Sequence, residues 1–168
     1  MQFALELKGF AGGKIFRAEL FETVKFPEGF WFEDSVLSYI IFPAVKNAYV
    51  ISNMVYIYRQ HNESITHSFW DNPKRIDTYW ITETLMREHR ENGLPEDENY
   101  AEKCTHQFIL NAKRIKNMPI EIQKSVFLLT CGLVREYSIR PVLKKYIPLY
   151  KAINDMDFGK YRLYCLTH

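Results

Sequence analysis

The chain has 168 residues, of which 47% are hydrophobic, 25% charged and 15% aromatic, and its formal net charge is +2. That length supports one domain with a real core, and only 7 Gly and 7 Pro argue against a linker-rich or disordered chain. No run of about 18 apolar residues is present, so no membrane-spanning helix is predicted. The opening MQFALELKGF has an acid inside its apolar stretch and no small-residue cleavage site, so it does not read as a signal peptide.

Cys104, Cys131 and Cys165 stand far apart, are odd in number and form no C-x-x-C, so reduced thiols in a cytoplasmic protein are expected. The charge is unevenly spread. Residues 111–151 carry 9 basic and 2 acidic side chains, net +7, whereas residues 71–110 carry 5 and 9, net −4. A solvated face is the plain reading of the basic segment, and an anionic membrane surface or phosphorylated lipid is the sharper one. Nucleic acid is not expected, because no reading motif or aromatic–basic platform accompanies the charge.

In chain order, the first predicted element is a short amphipathic helix over 14–24, where Ile15, Phe16, Leu20 and Phe21 recur at helical spacing. FPEG at 26–29 suits a type I turn. A second helix is expected from Asp34, with apolar residues at 36, 37, 40, 41, 44 and 45 and an early end or kink at Pro43. AYVIS and MVYIY, flanking Asn53, are rich in β-branched and aromatic residues and predict two short strands or one bent strand near 48–58. Helices follow over 71–92, closed by Asn92-Gly93, and over 95–117, opened by Pro95 and three acids. The next begins after Pro119 and is so apolar from Val126 to Val134 that it is expected at the centre. A shorter one covers 141–153. The expected fold is mainly α with a small β element (α+β).

Glu33-Asp34 is the most suggestive pair. Asp is a good N-cap and a helix pattern starts beside it. A carboxylate held at a helix start is also a fixed anion able to take a proton from a hydroxyl, and Trp31 offers a flat face to a sugar ring. YRQHNESIT at 58–66 gathers Arg59, His61, Asn62, Ser64 and Thr66. It reads as an exposed polar loop or as a holder of phosphate or diphosphate. Asn62-Glu63-Ser64 fits a glycosylation acceptor but lacks a secretory context.

Other patterns carry less. GFAGGK at 9–14 is one residue too short for a phosphate loop, with Ile15 where a hydroxyl is needed. Asp155-Met156-Asp157 is a D-x-D that reads better as an acidic turn than as a metal pair. His89 and His106 lack ligand partners at helical spacing, and no nucleophile elbow is present, so no metal site is assigned to the chain.

The stretch GKIFRAELFETVKFPEGFWFEDSVL, followed by VYIYRQHNESIT, resembles family-2 glycosyltransferases of the GT-A fold, of the bacterial capsular and surface-polysaccharide type. The likeness runs from Lys14 to Ser68. It implies that residues 1–68 are the C-terminal part of a catalytic domain and 69–168 a helical C-terminal region. It implies Asp34 as the general base that deprotonates an acceptor hydroxyl, with Glu33 as its partner. Trp31 and Phe30 would bind the acceptor, and Arg59, His61 and Ser64 the donor diphosphate. The complete enzyme would take a nucleotide-sugar, a saccharide or lipid-linked acceptor and a divalent metal, Mn or Mg.

The family's nucleotide-binding strands and metal-binding D-x-D precede this region, and only 13 residues stand before Lys14 here. The chain is therefore expected to be a C-terminal portion that transfers no sugar and binds no metal by itself. It is expected in the cytoplasm, peripheral to the inner membrane face, with an uncovered apolar surface that favours self-association. The alternative is a non-catalytic helical interaction module docking a partner protein or a membrane surface.

Overall fold

The computed structural model describes residues 9–57, 59 and 72–168. Among the described residues six helices follow one another. α1 is a π-helix over Leu37–Ile41 closing as an α-turn over Phe42–Ala44. The others are α2 (Asp77–Glu91), α3 (Glu98–Arg114), α4 (Ile120–Glu136), α5 (Ile147–Asn154) and α6 (Phe158–Thr167). Single 3-10 turns cover Ala18–Phe21, Pro73–Ile76 and Lys144–Tyr146.

α3 packs against α2, α4 and α6, α6 packs in turn against α4 and α5, and α1 lies on α2. This corrects the expectation that the 120–136 helix is central. α3 buries Tyr100, Cys104, Thr105, Phe108, Ile109 and Ala112. α4 leaves Leu128 and Leu129 largely in solvent. Its apolar run wraps around the helix, and only the face bearing Val126, Phe127, Thr130, Cys131 and Val134 meets neighbours. One hydrophobic cluster runs from Val24 through α1 to Cys165. All three cysteines are free and buried in it.

The helix starts obey local chemistry. Asp97 accepts the Tyr100 amide at 2.9 Å, and Asp157 accepts the Lys160 amide at 2.9 Å, each capping the helix that follows. Asn92 and Gly93 close α2, Gly93 at a φ of 63°. The D-x-D is thus a helix-to-helix turn: Asp155 ends α5, Met156 turns with a φ of 56°, and Asp157 opens α6.

Three further expectations are corrected. No strand occurs among the described residues, so the small β element at 48–58 is absent from residues 48–57. The segment has strand composition, but a strand exists only through a partner that completes its hydrogen bonds, and no described segment supplies one. The 14–24 helix shrinks to the turn Ala18–Phe21. Ile15 is 100% exposed, so the apolar stripe is broken at its first member, although Phe16, Leu20 and Phe21 still rest on the core. The turn after Phe26 centres on Glu28-Gly29, with Gly29 at a φ of 81°, rather than on Pro27-Glu28.

Pro43 shapes α1. It lacks the N–H that would bond Tyr39, and the chain widens into the π-turn ahead of it, with Phe42 donating to the Leu37 carbonyl. The carbonyl oxygen of Tyr39 lies instead 2.9 Å from Nδ1 of buried His89 on α2. His89 Nε2 faces the Pro95 carbonyl at 3.1 Å, and its ring stacks on Tyr100. The Tyr39 hydroxyl donates to the Lys103 carbonyl at 2.7 Å, and Lys103 Nζ donates to the Ser38 carbonyl at 2.9 Å. α1 is therefore tied to both α2 and α3, which fixes the acidic pair at its start.

Candidate functional site

The turn that carries Glu33 and Asp34 is built from successive three-residue bonds. Ser35, Val36 and Leu37 donate to the carbonyls of Phe32, Glu33 and Asp34 at 3.0, 3.2 and 3.0 Å. Phe32 reverses the chain with a φ of 68°, a left-handed conformation that strains a non-glycine residue by roughly 1–3 kcal/mol. The Arg114 guanidinium lies 3.8 Å from the centre of the Phe32 ring and offsets part of that strain by cation–π attraction. Just upstream, the Trp31 amide donates to Asp77 Oδ2 at 3.0 Å, and Lys74 Nζ donates to the Gly29 carbonyl at 2.6 Å. The start of α2 thus holds the Phe30–Asp34 segment from below.

Asp34 is half-buried and Glu33 exposed. Burial, and then the neighbouring Glu33 charge, push the Asp34 carboxyl above its usual range. The Arg114 charge and the amides of Asp34 and Ser35 act the other way and do not cancel the rise. No ion pair within 4.0 Å joins Asp34 to Arg114, so the carboxylate is biased by a cation without being tied to it. Arg114 is itself pulled below the usual arginine range by burial, a tendency opposed by Asp34 and Tyr39.

A polar network between α2 and α3 anchors that arginine. Arg114 Nη1 donates to Thr78 Oγ1 at 2.9 Å, and the Arg114 carbonyl accepts from Arg75 Nη1 at 3.2 Å. The Asn111 side-chain amide touches the Thr78 hydroxyl at 2.6 Å and the Thr82 hydroxyl at 2.9 Å, and Gln107 abuts it at 3.2 Å. Thr78, Thr82, Gln107 and Asn111 are all buried. Such a network is rigid when every member is satisfied.

The aromatic residues expected to receive an acceptor do flank the acids. Phe30 is 43% exposed and Trp31 partly so, with the Trp31 and Phe32 rings perpendicular at 6.3 Å. Arg59 is exposed, while His61 and Ser64 lie outside the described residues. Arg114, Arg75 and Thr78 join the neighbourhood without having been singled out from the sequence. Their signal was present. Gln107, Asn111 and Arg114 are polar at helical spacing beside the apolar face of α3, and Thr78 and Thr82 sit four apart on α2. Two polar stripes on adjacent amphipathic helices are candidates to face one another.

Among the described residues no three His, Cys, Asp or Glu side chains converge as a metal ion would require, and Asp157 is engaged in capping. No helix among the described residues is long and apolar enough to cross a membrane.

Compared with protein-family models, with curated proteins and with solved structures, the chain matches none.

Proposed function

We propose that this chain supplies the acceptor side of a nucleotide-sugar-dependent glycosyltransferase that builds bacterial surface polysaccharide, with Asp34 as the general base. The observation that supports this reading is the Asp34 carboxylate: half-buried, raised in pKa, next to a cation yet not paired with it. A raised pKa makes a carboxylate a better proton acceptor at a given degree of ionisation. Arg114, held by Thr78, opposes part of that rise.

In the reaction, Asp34 accepts the proton of an acceptor hydroxyl. The freed oxygen forms a bond to the anomeric carbon of the donor sugar, and the bond from that carbon to the nucleotide diphosphate breaks. Exposed Glu33 orients the acceptor, and Phe30 and Trp31 give its sugar ring an apolar face. Arg59, His61 and Ser64 are assigned to the donor diphosphate. The metal is assigned to the nucleotide-binding part of the enzyme, and no step is drawn through it.

In a transferase containing this chain together with its nucleotide-binding strands, Asp34→Asn is expected to lower kcat by roughly 10²–10⁴-fold, with donor affinity little changed. Unchanged turnover would leave Asp34 without a part in the reaction. For this chain by itself, calorimetry with uridine diphosphate and manganese is expected to show no tight binding, and tight binding would mean that the donor site is misassigned.

One observation favours a second reading, a non-catalytic helical module that docks a partner. Tyr49, Val50, Ile51, Met54, Val55, Tyr56 and Ile57 are all exposed, Tyr49 at 91%. A contiguous apolar stretch of that kind marks an interaction surface. That reading predicts that Asp34→Asn leaves the function of the parent protein intact.

A further inference from the structure

Away from Asp34, a groove of ≈ 490 Å³ runs between the end of α4, the loop 138–141 and the outer side of α5. Its lining divides into two chemistries. Val134, Ile139, Pro141, Ile147 and Tyr150 give an apolar floor and wall, and Arg135, Arg140 and Lys151 bring three cations to the same concavity. Asp155 is the single acid that lines it, so the groove carries a net charge of +2 by the difference 3 − 1.

Those cations are not spent on the protein. Neither the Arg140 nor the Lys151 side chain makes a hydrogen bond or ion pair with any described residue. Arg135 donates only to the soft Met156 sulfur at 3.2 Å. Ser138 ends α4 at a φ of 52°, and Ile139 bonds back to the Val134 carbonyl at 3.1 Å, so Arg140 is presented from a fixed turn. Three like charges gathered on one concave surface repel one another unless an anion answers them.

We propose that this groove docks the chain on an anionic membrane surface, taking a phospholipid phosphate between Arg135, Arg140 and Lys151. The exposed apolar lining, Pro141 and Ile147, decides for a lipid over a free phosphate, which would gain nothing from it. A phospholipid offers both the anion and the hydrocarbon. Ile147 in the groove is 54% exposed, and a few positions before it in the chain Leu143, 38% exposed, is followed by exposed Lys144 and Lys145. Basic side chains interleaved with exposed aliphatic ones suit the head-group boundary. The site is separate from Asp34, so it stands whether or not the transferase reading holds.

The test is vesicle co-sedimentation of the full chain. Binding is expected to phosphatidylcholine vesicles doped with phosphatidylglycerol, to fall with added salt, and to be absent on pure phosphatidylcholine. Arg140→Gln and Lys151→Gln are each expected to weaken partitioning about fivefold, and the triple variant with Arg135→Gln about a hundredfold. The distant exposed Lys25→Gln is expected to change nothing. Arg140 and Lys151 are exposed and unpaired, so their variants should fold, which circular dichroism checks. Equal binding to neutral vesicles, equal loss in Lys25→Gln and Arg140→Gln, or no binding at all would overturn the proposal. So would amide shifts of groove residues with inorganic pyrophosphate in a chain that vesicles do not recruit.

Discussion

At position 34 one carboxylate answers to opposed demands. Its place at the head of α1 suits the ionised form, because the Asp34 and Ser35 amides and the Arg114 charge all favour an anion. Burial and Glu33 oppose ionisation and prevail, so the folded pKa stands above the unfolded one. The native state then holds its proton to higher pH than the unfolded chain does. The contribution of Asp34 to stability is greatest below the unfolded pKa of about 3.9 and declines as pH rises through the folded value. Asp34→Asn keeps the size of the side chain and removes the charge. It is expected to raise the thermal midpoint at neutral pH, with the gain vanishing below pH of about 4, as read by calorimetry across a pH series. A lower midpoint at neutral pH would mean that the anion stabilises the fold. From sequence, the pair Glu33-Asp34 stood out because two acids interrupt aromatic residues. Arg114 did not, because its relation to Asp34 exists only after α3 has packed beside α1, 80 positions along the chain.

Among the elements, the helices with strong end signals were legible and the weakly marked ones were not. Asp97 ahead of Glu98, and Asn92-Gly93 behind Glu91, set the ends of α3 and α2 close to their expected places. α6 was missed because Asp155-Met156-Asp157 drew attention as a possible metal pair, although Asp157 is an N-cap of ordinary type. The pattern of α1 was read correctly at Val36, Leu37, Ile40 and Ile41, all at most 2% exposed. Its π form could not be read, because that depends on His89 arriving to meet the carbonyl left by Pro43. Because α3 touches α2, α4 and α6, weakening its cap acts on the whole domain. Asp97→Ala is expected to lower unfolding free energy by about 1 kcal/mol. That should appear in urea as a lower midpoint with an unchanged slope. A smaller midpoint change with early loss of helix signal would instead mean that the first turn of α3 frays separately.

For the molecule as a whole, the feature that sets behaviour in solution is the uncovered segment 49–57. The β-prone composition was visible in the sequence, but pairing is a property of two segments, and one segment cannot announce the absence of the other. Tyr56 finds cover on the backbone of Gly12 and Gly13, where an added Cβ at position 12 would meet its ring at 2.8 Å. The remaining apolar side chains face water. Exposed stretches of this kind seed self-association. The chain is expected to associate with rising concentration in sedimentation experiments, and Val55→Lys is expected to weaken that association about tenfold. A monomer at all concentrations, unchanged by the substitution, would show that this surface is tolerated in water.

The three sulfurs give the same core a built-in stopwatch. Burial pushes Cys104 and Cys165 up to about 12 and also raises Cys131, and each is at most 1% exposed. A thiol so protonated and so enclosed meets an alkylating reagent only when the helices part. Since the three lie on α3, α4 and α6, the order in which they acquire label, followed by mass spectrometry, records which of these three helices lets go first.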